Sequence, residues 1–188
     1  QKILFKIKET TQGVKPLITD LESKDSDLRR SARTQLAAIG QEAVSELMTV
    51  LEEKGDKIYR VRIGVVTALL LMKQPIKLTE KQVALVTNLL GDTDSTVRKN
   101  TANFLISTTD SDTLKMIIAE LSRSLESTDS GNKVYNSVVV LGELGQRWKN
   151  QRNDISGKLE VIRGALEKDR PRWDKTIDQI DKYIKILR

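Results

Sequence analysis

The sequence predicts an all-α fold, an α-α superhelix in the form of a right-handed α-solenoid of about five helical hairpins. Three observations carry that expectation. A basic residue recurs at Arg29, Arg62 and Arg98, with Val134 in the fourth slot, at steps of 33, 36 and 36 residues. Each slot opens a run with apolar or small residues at helical offsets, such as Ala32, Leu36 and Ile39 after Arg29, or Val138, Leu141 and Leu144 after Val134. The hydrophobic content is only 38%, yet it falls in regular stripes with the 31% charged residues between them, which marks a folded chain and not a disordered one. A step of that length is one helix–turn–helix unit, and stacked units share one continuous core.

The units are expected at 14–40, 41–73, 79–109, 110–145 and 154–188, forming a single solenoid over 1–188 with 1–13 as an N-terminal flank. In the first, Val14, Leu17, Ile18 and Leu21 lie at helical spacing, with Pro16 tolerated near the helix start. Ser23 to Asp27 breaks that helix and offers N-cap oxygens for the next, Leu28 to Ile39, after which Gly40 supplies a residue that accepts positive φ. The second unit buries Val44, Leu47, Met48 and Leu51, turns at Gly55-Asp56, and runs from about Ile58 to Met72 before Pro75. Gln74 to Leu78 is the most linker-like stretch. Thr79-Glu80-Lys81-Gln82 reads as a capping box opening the third unit. There Val83, Val86, Leu89 and Leu90 pair with the helix led by Val97-Arg98. The fourth unit carries Leu114, Ile117, Ile118 and Leu121, a longer loop from Glu126 to Lys133, and the apolar strip Val138 to Leu141. The fifth has one stripe from Ile155 to Leu166 and another from Ile177 to Leu187, with a charged outer face suited to a terminal cap.

Two stretches resemble the HEAT-repeat family, of the short bacterial type called phycobilisome-lyase-like. They run from Asp25 through Leu28-Arg29, Ala32, Leu36 and Ile39-Gly40 to Leu47, and from Asp92 through Asp94, Val97-Arg98 and Ala102 to Leu105. The resemblance implies an interaction scaffold with no catalytic role. It also implies a structural ladder in which Asp25, Arg29, Asp94 and Arg98, with Arg62, join successive units. Val134, beside Lys133, departs from that pattern. A bilin lyase role has no distinctive residue to support it.

The absence of cysteine and histidine removes disulfides, thiolate chemistry, the commonest general base and the commonest transition-metal ligand. No metal or cofactor is expected. The acidic pairs Asp25/Asp27, Asp92/Asp94 and Asp110/Asp112 lack the glycine and glutamate of a calcium loop, and helix capping accounts for them. No apolar run reaches membrane-spanning length; a soluble protein is the expectation, its compartment open between the cytoplasm, slightly favoured, and an extracytoplasmic location.

For a protein or peptide partner, the exposed inner face of each second helix is the candidate surface: Arg30, Arg62, Lys99, Asn100, Asn103, Tyr135 and Asn136. Asparagine both donates and accepts, which suits an extended peptide backbone. Nucleic acid is the alternative. The net charge of +6 is concentrated beyond residue 145, where 12 Lys/Arg face 7 Asp/Glu, against 20 and 19 in residues 1–145. Arg147, Trp148, Lys149 and Arg152, with Arg172 and Trp173, form the basic, aromatic end. The competing account is that the tryptophans seal the last unit. A third reading makes the chain a regulatory segment of a larger scaffold. The apolar Ile3-Leu4-Phe5-Ile7 cluster motivates it, because an exposed patch there would need a cover.

Overall fold

A computed structural model describes residues 13–73, 75–125 and 130–188; the Ile3 to Ile7 cluster, Gln74 and the middle of the Glu126 to Lys133 loop lie outside the described residues. The helices are α1 (Val14–Asp20), α2 (Ser26–Ile39), α3 (Gln41–Lys54), α4 (Tyr59–Leu71), α5 (Glu80–Asn88), α6 (Ser95–Ser107), α7 (Ser111–Ser124), α8 (Gly131–Arg147), α9 (Arg152–Leu166) and α10 (Arg170–Leu187). Short 3₁₀ turns join α5 to α6, α8 to α9 and α9 to α10.

Local chemistry sets the boundaries. Asp25, Asp94 and Asp110 each turn a carboxylate back onto the first free backbone N–H groups of α2, α6 and α7. Thr79 and Gln82 form the capping box of α5 with both reciprocal bonds present. Gly40 ends α2 at φ 72°, ψ −134° and lets α3 begin on the next residue, a backbone that side chains with a Cβ rarely adopt. α4 stops at Leu71, before Pro75, because Met72 already turns extended. Pro171 sits in the first turn of α10, where its missing N–H costs nothing.

The chain is an α-α superhelix of two layers. The second helices α2, α4, α6, α8 and α10 pack in series, each on the next. The first helices α1, α3, α5 and α7 form a second, looser series, and α9 packs on α8 and α10 with no comparable contact to α7. A stack that is tighter on one side curves toward that side, so the even-numbered layer is the inner one. Between the layers one hydrophobic core runs from Leu17 to Leu187. The strip on α8 is buried at Val138, Val140 and Leu141, because α6, α9 and α10 all rest on that helix.

The linker-like stretch after α4 is firmly tied down. Ile76 and Leu78 are buried. Gln41 holds Lys77 through both backbone groups, accepting from its N–H at 2.8 Å and donating to its carbonyl at 3.0 Å. The buried Thr113 hydroxyl accepts from the Leu78 N–H at 3.2 Å. A segment without periodicity is here a strap between the second and fourth units.

Candidate functional site: the inner helix layer

The recurring arginines act mainly within their own hairpins. Arg29 donates to the carbonyls of Ser23 and Lys24 at 2.7 and 2.8 Å. Arg98 does the same to Asp92 and Thr93 at 2.6 and 3.0 Å. Each guanidinium thus ties down the loop that leads into its helix. Arg62 does both jobs: it donates to the Gly55 carbonyl at 2.8 Å and bridges to Asp92 of the next unit at 2.6 Å. That pair is largely withdrawn from water, with side chains 17% and 5% exposed. The ladder expected of Asp25, Arg29, Asp94 and Arg98 is therefore corrected. Their hydrogen bonds stay within a hairpin, Asp25 and Asp94 serve as caps, and among the motif arginines it is Arg62 that links two units, through Asp92. Asp92 also accepts from the Asp94 N–H at 2.8 Å, which fixes the loop it sits in. At Val134 the slot is filled by a buried side chain, and the neighbouring Lys133 instead reaches Asn88 at 2.8 Å.

The same geometry divides the seven partner-binding candidates. Arg62, Asn100 and Asn136 are occupied internally: Asn100 donates to Thr67 at 3.2 Å and Asn136 to the Leu90 carbonyl at 2.9 Å. These three hold the stack together, because a half-buried polar group on a helix–helix seam must find a partner there. Arg30, Lys99, Asn103 and Tyr135 are exposed on the inner layer. Arg30 has one distant ion pair, with the equally exposed Asp27 at 3.8 Å, which is worth little.

Charge is segregated between the layers. Over the first four units the inner helices carry Arg29, Arg30, Arg33, Arg60, Arg62, Arg98, Lys99, Lys133 and Arg147 against only Asp27 and Glu143. The outer helices carry Asp20, Glu42, Glu46, Glu52, Glu53, Glu80, Asp112 and Glu120 against Lys15, Lys54, Lys81, Lys115 and Arg123. The near-neutrality of residues 1–145 hides a basic inner face and an acidic outer one. Burial and the neighbouring Arg29 and Arg30 lower the pKa of the Arg33 guanidinium, while the Tyr59 phenol opposes them; the basic density is highest at the start of α2.

The C-terminal end is less open than its composition suggests. Trp173 is buried with Arg172 stacked 4.7 Å from its ring centroid, and Trp148 is half-buried against the core. Arg147 donates to the Ile106 carbonyl at 2.7 Å, which fastens α8 to the end of α6. Neighbouring cations are paired, Arg163 with Asp181, Arg170 with Glu167 and Arg188 with Glu160. Lys149 and Arg172 remain exposed, and Arg152 is half-buried. Trp173 cannot present a free face to a base, and the Trp148 face is restricted.

Among the described residues no group of acidic side chains converges as a metal site, and no helix is long and apolar enough to cross a membrane.

No protein-family model matches the chain, and neither does any curated protein. Similar solved structures include a designed armadillo repeat protein, 16% identical with a TM-score of 0.47, over 93% of this chain and 82% of that one. An engineered protein is 22% identical at a TM-score of 0.45, over 93% of this chain and 80% of that one. A second engineered protein is 21% identical at 0.46, over 92% of this chain and 48% of that one.

Proposed function

We propose that the chain is a non-enzymatic protein-interaction scaffold that holds its partner along the inner helix layer. The observation that carries this reading is the exposed set Arg30, Lys99, Asn103 and Tyr135, with Arg30 in only a distant surface pair with Asp27, on a layer that is basic through four successive units. The resemblance to HEAT repeats points the same way. The domain is read as one solenoid, and the contact residues as those four, with Arg62, Asn100 and Asn136 shaping the surface beneath them.

Affinity capture with the intact protein and with an Arg30→Glu/Lys99→Glu variant tests it. Partners held by the intact protein should be lost from the variant; full retention places the contact elsewhere.

Nucleic acid is the second reading, favoured by the continuous basic layer more than by the tryptophan-bearing end. Phosphate tracking predicts binding of single- or double-stranded DNA that weakens steeply with salt. Titration at two salt concentrations decides it, and salt-insensitive or absent binding removes it.

A further inference from the structure

The inner layer carries two parallel rows of different chemistry. One lies near the N-terminal ends of its helices, with Arg30 and Arg33 on α2, the half-buried Ile63 on α4, Lys99 on α6 and Tyr135 on α8. The other lies nine residues past each motif slot. There α2 and α4 expose Ala38 and Leu71, Leu71 by 48%, while α6 exposes the polar Ser107. Two adjoining depressions follow this second row. One, of about 650 Å³, is lined by Ala37, Ala38, Ile39 and Leu71 together with the polar Thr34, Gln41 and Glu42; the other, of about 230 Å³, is the more polar, with Ser107, Thr108 and Thr109 beside Leu70, Met72 and Phe104. Lys73 borders both. The groove ends at α8, where Glu143 occupies the corresponding position and is engaged by the Tyr183 hydroxyl at 2.8 Å.

We infer that the partner segment is an acidic amphipathic α-helix laid across α2, α4 and α6, with carboxylates on the Arg30–Lys99 row and aliphatic side chains in the Leu71 groove. This rests on the reading that the inner layer is the docking face, and it names what that face selects. The dimensions fit. The rows are eight residues apart along each helix, about 12 Å, which is the diameter of a helix with its side chains. Two steps of about 10 Å carry such a helix from α2 to α6, a span covered by about 13–18 residues. The charge fits too: the cations of one row are matched by acids, and the Ala38–Leu71 patch on α2 and α4 by aliphatic side chains that a nucleic-acid strand lacks. Such a helix in a groove is read through apolar anchors at i, i+3, i+4 and i+7.

The probe is a fluorescein-labelled synthetic peptide of about 18 residues, with leucines at that spacing and glutamates on the adjoining face. Anisotropy titration is run beside four controls: lysine for each glutamate, serine for each leucine, a central proline, and a single-stranded oligonucleotide of matched charge. The parent peptide alone should bind, and should gain helical circular dichroism on binding. Leu71→Asp and Lys99→Glu should each weaken it about tenfold or more, a loss of about 1.4 kcal/mol. Ala38→Asp should do the same at a second exposed position. Equal binding of the serine peptide or the oligonucleotide would show that charge alone is read and overturn the inference. Equal binding of the proline peptide would overturn the helical occupant, and no binding of the parent would overturn the whole. In each case the capture test of Arg30 and Lys99 still judges the scaffold reading separately.

Discussion

Gly142 has no room for a side chain: a Cβ built there would overlap the ring of Tyr183, whose hydroxyl donates to Glu143. A glycine inside a helix ordinarily costs about 0.5–1 kcal/mol relative to alanine; here close packing of α10 offsets it. Gly142→Val should destabilise by about 1–3 kcal/mol through overpacking, lowering Tm by several degrees in a thermal melt. Tyr183 gives a second readout at the same contact. Burial and Glu143 raise its pKa above the ordinary tyrosine value. Its contribution is thus fully present below that value, about 10, and is lost as pH rises further. Urea midpoints should fall above about pH 10, and fall less steeply in Tyr183→Phe. The Arg62–Asp92 bridge is the third residue-scale feature. Removing one partner leaves the other charge poorly solvated, so Arg62→Met should cost about 2–3 kcal/mol. Asp92→Asn in the same background should add much less than it costs alone, as a double-mutant cycle in chemical denaturation would show.

At the scale of elements, the strap after α4 shows how a periodicity-free stretch becomes structural. Thr113→Val keeps the shape and removes the acceptor for the buried Leu78 N–H, which should cost about 1–3 kcal/mol in equilibrium unfolding. The helices themselves were legible in the chain, because caps such as Asp25, Thr79 and Asp110 and stripes such as Val83-Val86-Leu90 depend on neighbours a few residues away. The strap was not, since Gln41 and Thr113 meet residues 35–36 positions distant, and no local pattern announces that. The same reason explains the site. Offsets from the motif arginine found the inner face, and with it Arg30, Lys99, Asn103 and Tyr135. They could not tell that Asn100 and Asn136 point into seams, or that Asp92, two residues before a cap, takes the largely buried ion pair from Arg62 of the preceding unit. Leu71 was missed because, read one helix at a time, it belongs to the same apolar run as Leu69 and Leu70. Its exposure appears only when α2 and α4 are set side by side.

Across the whole molecule, charge is sorted along the chain and, through the first four units, by layer as well, and this alters what the composition means. The excess beyond residue 145 is partly consumed by ion pairs and its tryptophans are drawn into the last unit, whereas units one to four carry most of their helix-borne cations on one side. Surface cations on a shared face add their fields and raise the local concentration of acidic partners, an effect that salt screens. The most direct measurement is the affinity for an acidic partner segment in two variants that reverse equal numbers of charges: Arg30→Glu/Lys99→Glu on the inner layer and Glu46→Lys/Glu53→Lys on the outer. The inner reversal should weaken binding about tenfold or more, with the outer variant binding at least as tightly as the parent. Equal loss in both, or loss in the outer variant alone, would contradict an inner-layer docking face.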